Sequence, residues 1–198
     1  MRIPSMYKRL ADYPDFVEIL GWPFDFEICE PYHLSKEWPI LISEELIVLA
    51  EDGSGGAYAI LSNIDPEESS VIFLSSEGQA GKVAANFTEF LAVLTVIPFW
   101  RDLLKFSAGG ELEEMRKALP YLKEELLEDE PEISQKQLFI SKTLNLPIIS
   151  DPIQVLFESV KEGAGIEIKA NDGYCYESLF NAFSVSDNRT WQIQSGKA

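Results

Sequence analysis

Residues 46–61 have the sequence LIVLAEDGSGGAYAIL, in which a polar, glycine-rich segment separates two apolar runs. The two runs, residues 46–50 and 57–61, are short and rich in β-branched and aromatic residues, which is typical of strands. Glycine adopts the positive φ angles that a tight reversal of the chain requires. The stretch therefore predicts a β-hairpin near the centre of a sheet, with its turn at residues 51–56.

The same glycines could in principle form a phosphate-binding loop. Such a loop needs its glycines to run into the N-terminus of a helix, with a lysine or an acidic ribose partner to follow. Here residues 53–56 run into an apolar, strand-like segment, and no lysine follows. We therefore interpret the glycines as a hairpin turn.

The segments around the hairpin predict a sheet with little regular structure before it. Residues 71–74 and 82–85 are further strand candidates, and short polar loops between consecutive strands favour an antiparallel meander. Residues 39–42 are expected to lead into the first strand. Residues 24–39 show no clear period and are predicted to be irregular, with one strand around 24–28.

The clearest helix signal follows the meander. Asn86 suits an N-cap, and Glu89 stands three residues later, as in a capping box. Apolar residues then follow helical spacing up to Ile97, and Pro98 ends the pattern. This helix is expected to pack on the sheet.

Further helices are predicted at residues 14–20, 111–119, 133–144 and 153–161, with another beginning at Pro120. Asp151 is a fitting N-cap for the helix at 153–161. A turn at residues 171–173 predicts a hairpin between 166–169 and 174–179. We expect one domain over residues 1–198, with a helical segment at about 109–147 and a loose tail at about 184–198, except near Trp191.

The charge balance is strongly acidic. The chain has 198 residues, with 33 Asp and Glu against 16 Lys and Arg, and a net charge of −17. Phosphate backbones and anionic membranes would repel this surface, so nucleic-acid and membrane partners are not expected. A basic protein partner would be attracted to it. The alternative is that the acidity serves solubility.

The residue types that carry catalysis or bind metals are scarce. His33 is the only histidine, and Cys29 and Cys175 are far apart in sequence. We expect two buried structural thiols, with no catalytic residues, no metal site and no cofactor. Carboxylates are abundant, so a hydrolase with paired carboxylates stays open as an alternative. The N-terminus lacks the apolar core of a secretion signal, so a cytoplasmic protein is expected.

Several features in a fixed order carry a resemblance to a known family. They are Trp38-Pro39, a strand ending in 49–53, the segment 55–60, the strand Val71-Ile72-Phe73 and the helix start 86–91. In this order they resemble the SMI1/KNR4 (SUKH) superfamily, over about a quarter of the chain. The segment 109–147 is longer than a minimal member of the superfamily requires.

The resemblance implies an α+β fold, with a central, mostly antiparallel sheet flanked by helices. It also implies a non-enzymatic binding protein, because many bacterial members are similar to immunity proteins that neutralise secreted polymorphic toxins, often nucleases. The alternative is a regulatory or scaffold module of the same fold. The candidate contacts for a basic toxin domain lie in the hairpin and within the acidic helical stretch 111–132: Glu51, Asp52, Ser54, Glu124, Glu125, Glu128 and Asp129.

Overall fold

A computed structural model describes residues 1–38, 40–163 and 165–194. The strands within these ranges are β1 (Glu27–His33), β2 (Ile40–Ile42), β3 (Leu46–Glu51), β4 (Ala57–Leu61), β5 (Val71–Leu74), β6 (Ala80–Ala84) and β7 (Ile168–Ala170). The helices are α1 (Ser5–Ala11), α2 (Asp15–Ile19), α3 (Leu34–Glu37), α4 (Phe87–Val96), α5 (Trp100–Lys105), α6 (Leu112–Asp129), α7 (Ile133–Leu144), α8 (Pro152–Glu162) and α9 (Arg189–Gln194), with a 3-10 turn at Val185–Asp187.

Five strands form an antiparallel sheet in the order β1-β3-β4-β5-β6. The predicted hairpin is β3–β4, and its register pairs Glu51 with Ala57 and Leu46 with Leu61. It occupies the second and third positions of the sheet. The predicted meander and the α+β class, with helices flanking a central sheet, are confirmed.

Both faces of the central strands are buried. Alternate residues such as Ile47, Tyr58 and Phe73 face the main core, which also contains residues of the larger helices. The intervening residues, such as Val48 and Ile72, face a second core that includes Leu34, Ile40 and Ile168. Because both faces of these strands are buried, their sequences are continuous apolar runs in which apolar and polar residues do not alternate.

The prediction of an irregular segment at 24–39 was wrong. Residues 27–33 form the edge strand β1, whose pairing with β3 shifts register between Ile28 and Tyr32. Pro31 lies within this irregular stretch and has no backbone N–H, so it disguises the strand pattern. Residues 40–42 do not lead into β3 as part of its sheet. They form β2, which pairs with β7 in a separate two-stranded sheet, Ile42 opposite Ile168.

The predicted break in the acidic helical segment was also wrong. Residues 112–129 form one helix, with Pro120 inside it. Proline costs a helix one backbone hydrogen bond, but Met115, Ala118 and Leu122 are buried on either side of it. Packing of this buried face therefore stabilises a continuous helix despite Pro120.

The helices predicted at 14–20, 133–144 and 153–161 correspond to α2, α7 and α8, and the helix predicted after Asn86 corresponds to α4, whereas α1, α3, α5 and α9 were not predicted. Asn86 caps α4 by accepting from the Glu89 backbone N–H at 2.9 Å. The Glu89 carboxylate accepts from Ala85 N–H, one residue before the position that a capping box would use. Asp151 caps α8 by accepting from Gln154 N–H at 3.1 Å.

The region after α8 differs from the sequence prediction at the expected hairpin and at the cysteines. The predicted partner strand at 174–179 forms isolated bridges and not a regular strand: Cys175 pairs with Lys169, and Glu177 pairs with Gln79. Cys175 is exposed and Cys29 is half-buried, so the expectation of two buried thiols was wrong.

In the predicted tail, Trp191 of α9 is buried and stacks on Tyr121 with ring centroids 5.0 Å apart. Residues 195–198 of that tail, and Pro39, lie outside the described residues.

Candidate functional site

Asp52 organises the turn of the β3–β4 hairpin. It is buried, and its Oδ1 accepts from Ser54 N–H at 2.9 Å, Ser54 Oγ–H at 2.8 Å and Gly56 N–H at 2.7 Å. A Cβ at Gly56 would lie 2.8 Å from Asp52 Oδ2 and 2.9 Å from the Leu74 carbonyl oxygen. The turn therefore needs both the Asp52 carboxylate and a residue without a side chain at position 56.

Arg101 of α5 ties this turn to a second carboxylate. Its guanidinium donates to both Asp52 and Asp25, and Asp25 Oδ1 also accepts from Gly53 N–H at 2.8 Å. Desolvation lowers the pKa of the Arg101 guanidinium. The Asp25–Arg101–Asp52 network thus joins the α2–β1 connection, the hairpin and α5.

A polar cavity of about 380 Å³ opens beside the hairpin. We call it the hairpin cleft. Ser54 lines it on one side, and α5 lines it through Trp100, Arg101, Asp102, Leu104 and Lys105. The β5–β6 turn and residues 179–183 complete its walls.

A smaller cavity of about 190 Å³ lies beside Trp22. We call it the tryptophan cleft. Its walls come from residues 22–25, from residues 98–102 and from the last two turns of α6. Arg101 and Asp102 line both clefts, so the start of α5 separates the two cavities on one face of the molecule.

The predicted site residues separate into four groups in the structure. Ser54 lines the hairpin cleft, and Glu125 and Asp129 line the tryptophan cleft. Glu124 and Glu128 are exposed on α6 but line neither of these clefts.

Asp52 and Glu51 have partners inside the molecule. Asp52 belongs to the network that holds the turn, and Glu51 accepts from the Tyr32 hydroxyl at 2.8 Å. Ser54 and Glu125 also have internal partners, because the Ser54 hydroxyl donates to Asp52 and Glu125 Oε1 accepts from the Trp191 indole N–H at 2.5 Å. The structure brings Glu125 and Asp129 together in the tryptophan cleft and places Ser54 in the other cleft, and contact with a partner stays a prediction for every member of the set.

Sequence reasoning missed Asp25, Arg101 and Asp102, and it did not single out Trp22 among the four tryptophans. The carboxyl of Asp102 has its pKa raised by desolvation, and nearby Glu125 adds to this, although Lys105 and Arg101 act in the opposite direction. Part of the Asp102 side chain still reaches the surface. No local pattern links positions 25, 52 and 101, so only the folded chain reveals their association.

The chemistry of the two clefts favours binding by hydrogen bonds and charge. His33, the only histidine, lines neither cleft and lies 3.4 Å from Glu45 through its Nδ1. Among the residues described, no group of three or more His, Cys, Asp or Glu side chains could hold a metal ion. Across the same residues, no helix combines the length and apolar character needed to cross a membrane.

One comparison with known proteins found a match. The model of the SMI1 / KNR4 family (SUKH-1) matches residues 4–93. This segment contains the whole five-stranded sheet and most of α4. Comparison with curated proteins found no match, and comparison with solved structures found none either.

Proposed function

Residues 4–93 belong to the SMI1/KNR4 family (SUKH-1), and on that premise we propose that this chain is an immunity protein. It would bind one cognate toxin stoichiometrically and neutralise it without catalysis. The setting would be the cytoplasm of a bacterium that carries the toxin. The family is compatible with this role, and the acidic surface supplies the chemistry of recognition.

The observation that carries the proposal is the acidic face around α5. Asp102, Glu125 and Asp129 line one cleft, and none of them forms an ion pair within residues 1–38, 40–163 and 165–194. Carboxylates that form no ion pair strengthen the negative potential of a surface and attract a basic partner, although Lys105 and Arg101 offset part of the charge of Asp102. The three residues follow the segment that matches the family, so recognition would depend on the second half of the chain.

The mode of inhibition follows from charge complementarity. A toxin that acts on nucleic acid has a basic active site because it receives phosphates, and an acidic protein can cover such a site. Association would be fast, since opposite potentials steer the two proteins together. A nuclease toxin is therefore the favoured class of partner.

The test uses a toxin-like protein encoded beside the gene for this chain. Co-expression of the two should restore growth, and the purified proteins should form a 1:1 complex by light scattering. The association rate should fall steeply between 0.05 and 0.5 M salt, because the Debye length falls from roughly 14 Å to roughly 4 Å over this range. Growth arrest that persists despite co-expression would contradict the immunity proposal.

A further inference from the structure

Trp22 is the most exposed of the four tryptophans. It is 64% exposed, whereas Trp38 is partly buried and Trp100 and Trp191 belong to the core. It follows α2, and its backbone carbonyl accepts from Lys136 of α7 at 3.5 Å. Exposed tryptophan is costly to hydrate and is enriched among the residues that dominate binding energy at protein interfaces.

Exposed apolar side chains lie on α2, which precedes Trp22, and on α7, whose Lys136 donates to the Trp22 carbonyl. Val17 of α2 and Phe139 of α7 are both exposed. Phe139 lies one helical turn beyond Lys136, and its ring centroid is 5.7 Å from that of Phe16 in α2. An apolar centre with charged residues at its edge is the usual composition of a protein interface.

The tryptophan cleft combines apolar walls with carboxylates. Phe99, Leu122 and Leu126 form part of its walls, and Asp102, Glu125 and Asp129 border it. The guanidinium of Arg101 also lies there, but Asp25 and Asp52 engage it. The cleft therefore has aromatic and aliphatic surface beside carboxylates that lack an ion-pair partner in the described chain. Glu125 Oε1 accepts from the Trp191 indole N–H at 2.5 Å.

The size of the cleft suits one side chain of a partner. Its volume of about 190 Å³ is below the roughly 300–1,000 Å³ typical of small-molecule sites. An arginine side chain matches its chemistry, because a guanidinium stacks on an aromatic face and donates several hydrogen bonds to carboxylates. Lysine would offer the charge without the planar stacking surface.

We infer that the tryptophan cleft receives an arginine side chain of the basic partner, stacked on Trp22 and bonded to Glu125 and Asp129. This inference rests on the proposed function, because it supplies the anchor point for the toxin. It assigns recognition to the pair Glu125 and Asp129 and not to the neighbouring pair Glu124 and Glu128. The two pairs have the same i, i+4 spacing on the same helix.

The first experiment needs no toxin. N-acetyl-arginine amide is titrated into the full chain while the indole N–H signals of the four tryptophans are followed by NMR, with a Trp22→Phe variant to assign the Trp22 signal. N-acetyl-citrulline amide, which is nearly isosteric but uncharged, is the control probe. We expect a saturable shift of the Trp22 signal, with an affinity for the arginine probe about tenfold above that for citrulline.

Two double variants with the same change in charge locate the effect. Glu125→Gln/Asp129→Asn should weaken the binding of the arginine probe about tenfold. Glu124→Gln/Glu128→Gln should change it by no more than about twofold, because these side chains line neither cleft. Equal responses to the two probes, or equal losses in the two variants, would overturn the inference.

The second experiment uses the toxin-like protein encoded nearby. The rate at which this protein dissociates from the Glu125→Gln/Asp129→Asn variant should be about tenfold higher than the rate at which it dissociates from the Glu124→Gln/Glu128→Gln variant. If the arginine probe binds at Trp22 but the toxin-like protein neither binds nor is neutralised, the proposed function fails and the arginine site stands. If the toxin is neutralised but the arginine probe does not bind at Trp22, the arginine site fails and the proposed function stands.

Discussion

At the scale of single residues, Arg101 and Arg116 have nearly equal exposure and very different partners. The Arg101 side chain is 36% exposed and pairs with Asp52, whose side chain is 0% exposed. The Arg116 side chain is 38% exposed and pairs with Asp151, which is 39% exposed. The two ion pairs therefore separate the effect of a buried carboxylate from that of a surface charge.

We predict that Arg101→Met lowers the free energy of unfolding by about 3 kcal/mol, because it leaves the Asp52 carboxylate buried without a counter-charge. The loss should lie at the lower end of the range for buried pairs, since Asp52 keeps the hydrogen bonds from Ser54 and Gly56. Urea unfolding followed by circular dichroism measures it. Arg116→Met is the control, with an expected loss of about 0–1 kcal/mol. Equal losses would show that Asp52 does not depend on Arg101.

The turn itself could be predicted from sequence, but its chemistry could not. Aspartate followed by glycines between two apolar runs indicates a reversal, and the structure has one there. That Asp52 is buried depends on Arg101, which lies 49 residues later in the sequence. Asp52 was therefore predicted as a partner contact, whereas the structure places it inside the hairpin.

At the scale of elements, features that depend on neighbouring residues were predicted well from the sequence, whereas features that depend on distant contacts were not. Asn86 and Asp151 cap their helices as predicted, because a cap acts on the N–H groups of the next three residues. β1 and β2 were missed because a strand pairs with a partner set by the whole fold. The clefts were missed for the same reason, since three separate segments form the tryptophan cleft.

The two caps give a prediction about pH. The backbone hydrogen bond from Gln154, followed by Arg116, holds the pKa of the Asp151 carboxyl below its ordinary value of 3.8. A lowered pKa in the folded state means that the carboxylate stabilises the protein above about pH 4 and loses that contribution as the pH falls through the folded pKa. Asp151→Ala should therefore cost about 1 kcal/mol at pH 7 and progressively less below pH 4.

Asn86→Ala is the matched control for this prediction. Asn86 also accepts a hydrogen bond from the third residue after it, but its amide does not titrate. Its loss of about 1 kcal/mol should be the same from pH 7 to pH 3. Guanidinium chloride unfolding of both variants across this range provides the comparison, and parallel pH curves for the two would refute a role for the Asp151 charge.

At the scale of the whole molecule, one core spans the segment that matches the family and the rest of the chain. Phe73 of β5 packs edge-on against Trp100, with ring centroids 5.1 Å apart, and Phe106 lies 4.5 Å from Trp191. These residues belong to one continuous cluster of buried side chains that begins at Met6. A core shared in this way couples the two parts energetically, so they should not unfold independently.

We predict that the described chain unfolds as one unit, which single-tryptophan variants can test. In one variant Trp100 is the only tryptophan left, and in the other Trp191 is, with the remaining positions changed to phenylalanine. Fluorescence of the two variants should give the same urea midpoint as their own far-UV circular dichroism, although Trp100 lies beside the sheet and Trp191 stacks on α6. A variant that keeps only the exposed Trp22 should show a smaller fluorescence change at its midpoint. A fluorescence midpoint that differs from the circular dichroism midpoint of the same variant would show that the described chain unfolds in more than one step.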